Sequence, residues 1–256
     1  MVKKKKRKLF LIIFLVLGAV FFCFLYLFFQ YRKKEANAQQ AVYKAFGVNI
    51  PTNYSIYGID VSSYQQQINW ALVKQISTQN IKIGFVFIKA TEGLNDTDKF
   101  FKTNWQNAAQ NNITKGAYHY FLAAKSGEKQ AENFIKNVAL SKGDLPPVVD
   151  IEELYGQPVP IVKQRLKECL QTLENYYKVK PILYSYANFY ETFLGKDFDG
   201  YYLWVANYLE KDKPNIKRDW LFWQCTDAAT INGIATPTDI NIFFADSSKF
   251  FRILLK

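Results

Sequence analysis

The feature that most constrains this chain is an uninterrupted apolar run near its start. Leu9 to Phe29 comprises 21 residues without a charged side chain, and basic clusters flank it on both sides. A helix of that length spans about 31 Å, which matches a hydrocarbon core of about 30 Å. A cleavable signal peptide is the competing interpretation, but its apolar region would be only about 7–15 residues long. The run therefore favours a transmembrane anchor over residues 9–29.

Charge is distributed unevenly along the chain. Nine of the 33 basic residues lie in the first 34 positions, where no acid occurs, and the remainder carries 24 bases against 22 acids. The formal charge of +11 therefore belongs to the flanks of the apolar run, and we expect no nucleic-acid partner. Six basic residues precede the run and three follow it, which predicts a single-pass protein in a bacterial cytoplasmic membrane. Residues 1–8 would be a cytoplasmic tail, and the rest of the chain would face the periplasm or the wall.

Beyond a polar connector at residues 30–54, short apolar segments alternate with amphipathic ones. Between the earlier strand candidates lie segments whose apolar residues recur at helical spacing. After about residue 200 no such segments occur. The pattern predicts an α/β catalytic domain over residues 55–256, a parallel (β/α)8-like barrel with helices missing in its C-terminal part. The candidate strands cover residues 55–61, 83–90, 115–121, 147–152, 182–185, 202–206, 220–224 and, more weakly, 239–243.

Polar residues cluster at the predicted carboxyl ends of strands, where a parallel barrel places its chemistry. Asp60 ends the first candidate strand and Lys89 the second, while the fourth runs through Asp150 to Glu152. Strand alternation places Asp150 and Glu152 on one face, and two such neighbours raise the pKa of one carboxyl. Glycoside cleavage needs this division between a protonated acid and an ionised partner. A structural pair neutralised by a base such as Lys89 is the alternative for this motif alone.

Several motifs taken together resemble glycoside hydrolase family 25, the Chalaropsis-type lysozymes or N-acetylmuramidases. The likeness runs in the family's order over roughly residues 55–246, and such collinearity is more specific than any single motif. The motifs that carry it are Gly58-Ile59-Asp60-Val61-Ser62, Ile88-Lys89-Ala90-Thr91-Glu92-Gly93, Gly116-Ala117-Tyr118-His119-Tyr120, Pro146-Pro147-Val148-Val149-Asp150-Ile151-Glu152, Pro181-Ile182-Leu183-Tyr184-Ser185, Leu203-Trp204-Val205-Ala206-Asn207-Tyr208, Trp223-Gln224 and Asp239-Ile240-Asn241.

The resemblance implies roles for four acids. Glu152 matches the family's general acid, and Asp150 matches the neighbouring carboxylate that orients the substrate's 2-acetamido group or stabilises positive charge. Asp60 and Asp239 match the other two acids of a four-carboxylate site. The resemblance also supports Tyr118 and Tyr184 as substrate-binding residues. Trp204, Tyr208 and Trp223 are further candidates for stacking on sugar rings, with core packing as their alternative, and Lys89 is a candidate sugar contact.

Other polar residues keep a structural alternative. Lys89 either contacts the sugar or balances the carboxylates, and His119, the only histidine, is a structural hydrogen-bonding residue or a base. His119 has no second histidine or cysteine cluster beside it, so we expect no metal and no cofactor. Cys169 and Cys225 lie in apolar contexts, and nothing in their spacing indicates that they pair.

The sequence thus predicts a membrane-anchored lysozyme acting on peptidoglycan glycan strands. A chitin-cleaving enzyme fits less well, because Val148 and Pro146 stand where family-18 chitinases carry further acids. A catalytically inactive peptidoglycan-binding or scaffolding protein of the cell envelope is the alternative from another class. Whether cleavage retains or inverts the anomeric configuration depends on the carboxyl separation, which a sequence does not give.

Overall fold

The computed structural model describes residues 2–79, 81–208 and 210–256, with side chains from residue 13 onward. It divides the chain into one unit ending at Ala41 and a second running from Val42 to Lys256. Helix α1 (Val2–Phe46) contains the predicted span. Among the described residues, this is the one helix that is both long enough and apolar enough to cross a membrane.

Helix α1 continues well past Phe29, into residues that the sequence analysis assigned to a connector without strong periodicity. No proline or glycine interrupts residues 30–46, and Gly47, with φ of +72°, follows the last helical residue. Val42, Phe46 and Ile50 are buried in the second unit. That unit therefore begins at Val42 rather than at the predicted residue 55.

Across the described residues of the second unit, eight strands close a barrel. The strand order is β1-β9-β8-β7-β6-β5-β4-β2, and β2 pairs back to β1, with the two-residue strand β3 on its edge. The strands are β1 (Ile56–Val61), β2 (Ile83–Glu92), β3 (Asp96–Thr97), β4 (Thr114–Tyr120), β5 (Val148–Asp150), β6 (Ile182–Tyr186), β7 (Tyr202–Ala206), β8 (Phe222–Ala229) and β9 (Thr238–Phe243).

The predicted barrel is confirmed, but its last strand runs the other way. β9 is antiparallel to both β8 and β1, whereas the other barrel pairs are parallel. The reason is the connection, because only residues 230–237 join β8 to β9 and a parallel crossover needs about a dozen residues or more. The barrel is therefore mixed rather than wholly parallel.

Helices cover the first part of the barrel, and the described residues between β7 and β9 form none, as the sequence predicts. The longer helices are amphipathic and bury their apolar side chains against the outward face of the strands. The helices of this unit are α2 (Trp70–Gln75), α3 (Phe101–Gln110), α4 (Gly127–Asn137), α5 (Val159–Tyr177), α6 (Ala187–Phe189) and α7 (Ser247–Ile253).

The barrel interior is filled by aromatic rings at the end away from the candidate site. Phe85, Phe87 and Phe222 pack with ring centroids 5.1–5.6 Å apart, and Phe250 of α7 closes this end against Phe85 at 5.7 Å. Two inward-facing glycines leave room for the rings. A Cβ on Gly58 would lie 2.5 Å from the Phe85 ring, and one on Gly116 would lie 2.7 Å from the Phe87 ring.

Candidate active site

The four predicted acids meet at the open mouth of the barrel. Asp60 is the next-to-last residue of β1 and is paired in register with Asp239 of β9, while Asp150 ends β5 and Glu152 lies two residues beyond it. Strand alternation turns these side chains inward, above the aromatic layer. Asp60 and Asp150 are only 8% and 6% exposed, whereas Glu152 and Asp239 are half-buried. The structure thus brings together residues that are far apart in the chain.

Burial shifts the ionisation of this cluster toward the neutral form. It raises the pKa of Asp60 to about 6 despite hydrogen bonds from Asn241 and Gln224, and it raises that of Asp239 to about 9, with the Asp60 charge adding to the rise. Burial also raises the pKa of Asp150, and the neighbouring Glu152 charge raises it further while Lys89 opposes the change. The pKa of Glu152 rises for the same reason, and a hydrogen bond from Tyr120 opposes the rise. The cluster therefore holds protons near neutral pH.

Two amides that the sequence analysis gave no role organise the floor of the mouth. Gln224 Nε2 donates to Asp60 Oδ2 at 2.9 Å, and Asn241 Nδ2 donates to the same oxygen at 2.7 Å. Gln224 Oε1 accepts from the hydroxyls of Tyr184 at 2.8 Å and Tyr208 at 2.7 Å. Polar residues at inward positions within β8 and β9 were the signal that could have identified them.

Asp150 differs from Asp60 in its hydrogen bonding. Its Oδ1 atom is buried and has no hydrogen-bond partner among the described residues. Its backbone is held firmly, because Phe121 N donates to its carbonyl oxygen at 2.8 Å. A buried carboxyl oxygen without a partner is costly, so Asp150 is a position where a bound molecule can supply the missing donor.

The predicted substrate-binding residues separate into a lining group and a supporting group. Tyr118 faces inward beside Asp60 and Asp150, both of which raise its pKa in addition to burial. Lys89 contacts Glu92 rather than Asp150, with Nζ 2.6 Å from Oε2. Trp204 is buried below the acids, stacked on Phe87 at 4.3 Å, and its Nε1 donates to Asn241 Oδ1 at 2.7 Å. Trp204 therefore supports the floor rather than lining the mouth.

The expectation for Trp223 was wrong. Its side chain is fully buried on the outward face of β8, between Tyr54 and Trp220, and its Nε1 donates to Asn207 O at 2.8 Å. Alternation explains the outcome, because the inward position beside it belongs to Gln224.

His119 also lies on the outward face, so its structural alternative is the one that fits. Nδ1 lies 2.7 Å from Thr91 Oγ1, and Nε2 lies 3.3 Å from Gln130 Oε1. Burial lowers its pKa to about 4, which keeps the ring neutral. Cys169 and Cys225 are buried free thiols in this structure, and Cys225 Sγ points toward Ile240 O at 3.5 Å.

This arrangement supports general acid–base catalysis of the cleavage of an uncharged bond. The part of the chain that the structure describes contains no group of three or more histidine, cysteine or acidic side chains positioned to hold a metal ion. What it offers is a half-buried acid with a raised pKa, Glu152, two residues beyond a deeply buried carboxyl, Asp150, at the end of β5.

Comparison with known proteins agrees with this geometry. The family model for glycosyl hydrolases family 25 matches residues 59–234. The uncharacterized protein YegX of Escherichia coli (strain K12) is 40% identical over 200 residues, covering 78% of this chain and 74% of YegX. The autolytic lysozyme of Clostridium acetobutylicum is 30% identical over 186 residues, covering 73% of this chain and 55% of that one.

A solved structure shows the same fold. The family 25 glycosyl hydrolase from Bacillus anthracis superposes with a TM-score of 0.71 at 35% identity, covering 79% of this chain and 94% of the other. The match takes in most of both chains. The chain therefore belongs to glycosyl hydrolase family 25 and is a glycoside hydrolase.

Proposed function

We propose that this chain is a membrane-anchored lysozyme, which hydrolyses the β-1,4 bond between N-acetylmuramic acid and N-acetylglucosamine in peptidoglycan. The observation that carries the proposal is the pair formed by Asp150 and Glu152 at the mouth, one deeply buried and the other half-buried with a raised pKa. Relatives named as lysozymes, including the one from Clostridium acetobutylicum, support the choice of substrate.

Glu152 is the general acid of the proposed reaction. Its proton passes to the glycosidic oxygen, which also takes the electron pair of the breaking bond to the anomeric carbon. Asp150 orients the 2-acetamido group, whose carbonyl oxygen attacks that carbon. Ionised Glu152 then accepts a proton from the water that opens the resulting ring, which restores the acid and retains the configuration. Direct attack by water, with inversion, is the alternative route.

The remaining mouth residues bind and polarise the sugar in this proposal. Asp60 and Asp239 complete the four-carboxylate site and stabilise positive charge as it develops at the anomeric carbon. Tyr118, Tyr184, Tyr208 and Lys89 are the proposed contacts to sugar rings and hydroxyls. Trp204 acts from below, through Asn241.

The apolar helix supports membrane anchoring. Its side chains from Ile13 to Phe29 are largely exposed, as expected of a segment whose partner is lipid. We propose residues 9–29 as the span, residues 1–8 as the cytoplasmic tail and the catalytic unit on the outer side of the membrane. An anchored enzyme reaches the wall nearest its own membrane, which favours local remodelling over attack on distant cells.

The first test compares the detergent-solubilised full chain with Glu152→Gln on isolated peptidoglycan. Mass spectrometry of released fragments should show new N-acetylmuramic acid reducing ends from the parent, reduced about 10²–10⁴-fold in the variant. Glu153→Gln is the matched control, because Glu153 is the exposed neighbour and should keep its activity. The intact mass of the membrane-extracted chain also separates an anchor from a cleaved signal peptide.

Two outcomes would contradict this assignment. Equal release by the parent and Glu152→Gln would remove Glu152 as the acid. No release by a folded parent that still sediments with peptidoglycan would favour the binding or scaffolding alternative.

A further inference from the structure

The carboxyl group of Glu152 is held at one of its two oxygens. Glu152 lies beyond the end of β5, so the ladder does not fix it, and Tyr120 Oη donates to its Oε2 atom at 3.4 Å. The neighbouring hydroxyls of Tyr184 and Tyr208 are both committed to Gln224. Among the described residues, Tyr120 is thus the hydroxyl donor placed on this carboxyl, and its proton has Glu152 Oε2 and Tyr155 Oη as its two acceptors in range.

Tyr120 itself is fixed by its surroundings. It ends β4, in register with Asp150 of β5 and Glu92 of β2, and Lys89 Nζ lies 4.8 Å from the centre of its ring. A cation over the ring holds it in place and withdraws electron density, which strengthens the hydroxyl as a donor. Burial raises the pKa of Tyr120, so its hydroxyl keeps its proton over the working pH range.

The hydroxyl of Tyr155 lies next to that of Tyr120. Tyr155 Oη lies 3.3 Å from Tyr120 Oη, and Tyr155 adopts φ of +49° next to Gly156 at φ of +70°. These two consecutive residues with positive φ form a turn after Glu152, from which Tyr155 reaches the Tyr120 hydroxyl. When Tyr155 donates to Tyr120, the proton of Tyr120 is free to point at Glu152.

We propose that the hydroxyl chain Tyr155–Tyr120 makes Oε2 of Glu152 the accepting oxygen, which leaves Oε1 to carry the proton to the glycosidic oxygen. Tyr120 is a positioning residue here, and the inference rests on the proposed lysozyme function. A neutral carboxyl has one hydroxyl oxygen and one carbonyl oxygen, and a donor bonded to Oε2 selects it as the carbonyl one. After proton transfer the same hydrogen bond stabilises the carboxylate that forms.

The test uses Tyr120→Phe, which keeps the ring under Lys89 and removes only the donor. Because the hydrogen bond favours ionised Glu152, its loss should raise the pKa of Glu152. The alkaline limb of the kcat/KM profile should therefore move up by about half a pH unit, with kcat falling about tenfold. Tyr155→Phe should move the limb the same way by less. Tyr176→Phe, an exposed tyrosine on α5, is the matched control and should change nothing.

A second readout does not depend on turnover. Full-length protein labelled with ¹³C at glutamate carboxyls is titrated by NMR in detergent, and the Glu152 resonance is identified by its absence in Glu152→Gln. An upward shift of its midpoint in Tyr120→Phe supports the proposal even if the parent cleaves no peptidoglycan, a result that would end the lysozyme assignment alone. An unmoved midpoint in folded Tyr120→Phe, whatever its kcat, overturns the proposal.

Discussion

The two ends of the barrel are built from the same strands and hold opposite kinds of side chain. β1 carries Gly58 below and Asp60 above, and β5 carries Val148 below and Asp150 above. Apolar side chains at the closed end are removed from water completely, whereas the mouth buries carboxyls whose pKa values rise as a result. Burial therefore stabilises the fold at one end and costs stability at the other, where it prepares an acid.

The largest expected effect lies at the closed end. Phe87→Ala removes a ring that contacts Phe85, Phe222 and Trp204, and should lower the free energy of unfolding by about 3–5 kcal/mol. Denaturant unfolding measures this loss, and Phe87→Leu, which keeps more volume, should lose less. Activity per folded molecule should fall little, and a loss as large as that of Glu152→Gln would show that the two ends are not separable.

An intermediate effect is expected on the outward face, with a pH dependence opposite to that of the mouth. The pKa of His119 is lowered to about 4, so its contribution to stability is present above the unfolded pKa of 6.5 and is lost as pH falls toward 4. The loss should reach about 3 kcal/mol at the acid end of that window. His119→Gln retains hydrogen-bonding capacity and should flatten this part of the stability profile.

A gain in stability, rather than a loss, is expected from removing the charge of Asp239 at the mouth. Because the folded pKa of Asp239 is raised to about 9, the stability present below its unfolded value of 3.8 is lost as pH rises toward 9. Asp239→Asn should therefore be more stable than the parent at pH 8 and nearly equal to it at pH 4. Its cleavage activity should fall, and a variant less stable than the parent at pH 8 would contradict the comparison.

Much of the fold and the site could be predicted because local patterns agreed with the tertiary structure. The positions of Asp60 and Asp150 near strand ends follow from the strand pattern, and Asp239 was identified through the family resemblance alone. The structure brings these acids together with Glu152. The direction of β9 could not be predicted from its own residues, because the length of the preceding loop decides it. Trp223 was misplaced because the family motif was followed instead of the alternation that makes Gln224 the inward residue.

The continuation of α1 through Phe46 was missed for a different reason. Residues 30–41 are polar and carry little apolar periodicity, so their helicity follows from the absence of helix breakers rather than from a buried face. Asn241 and Gln224 were missed as site residues because an amide acquires a role only through its neighbours. Their common partner, Asp60, lies more than 160 positions away in the sequence.

Two glycines beneath the mouth, Gly58 and Gly116, restrict which substitutions the barrel interior can accept. A methyl group on Gly116 would overlap the Phe87 ring, and one on Gly58 would overlap that of Phe85, so each glycine and its ring occupy one shared volume. Neither partner is free to grow alone, since overpacking a filled core is itself destabilising. The order of substitutions matters as a result, because the ring has to shrink before the glycine can gain a side chain. The pairs Gly58 with Phe85 and Gly116 with Phe87 should therefore be inherited together, as units of coupled change.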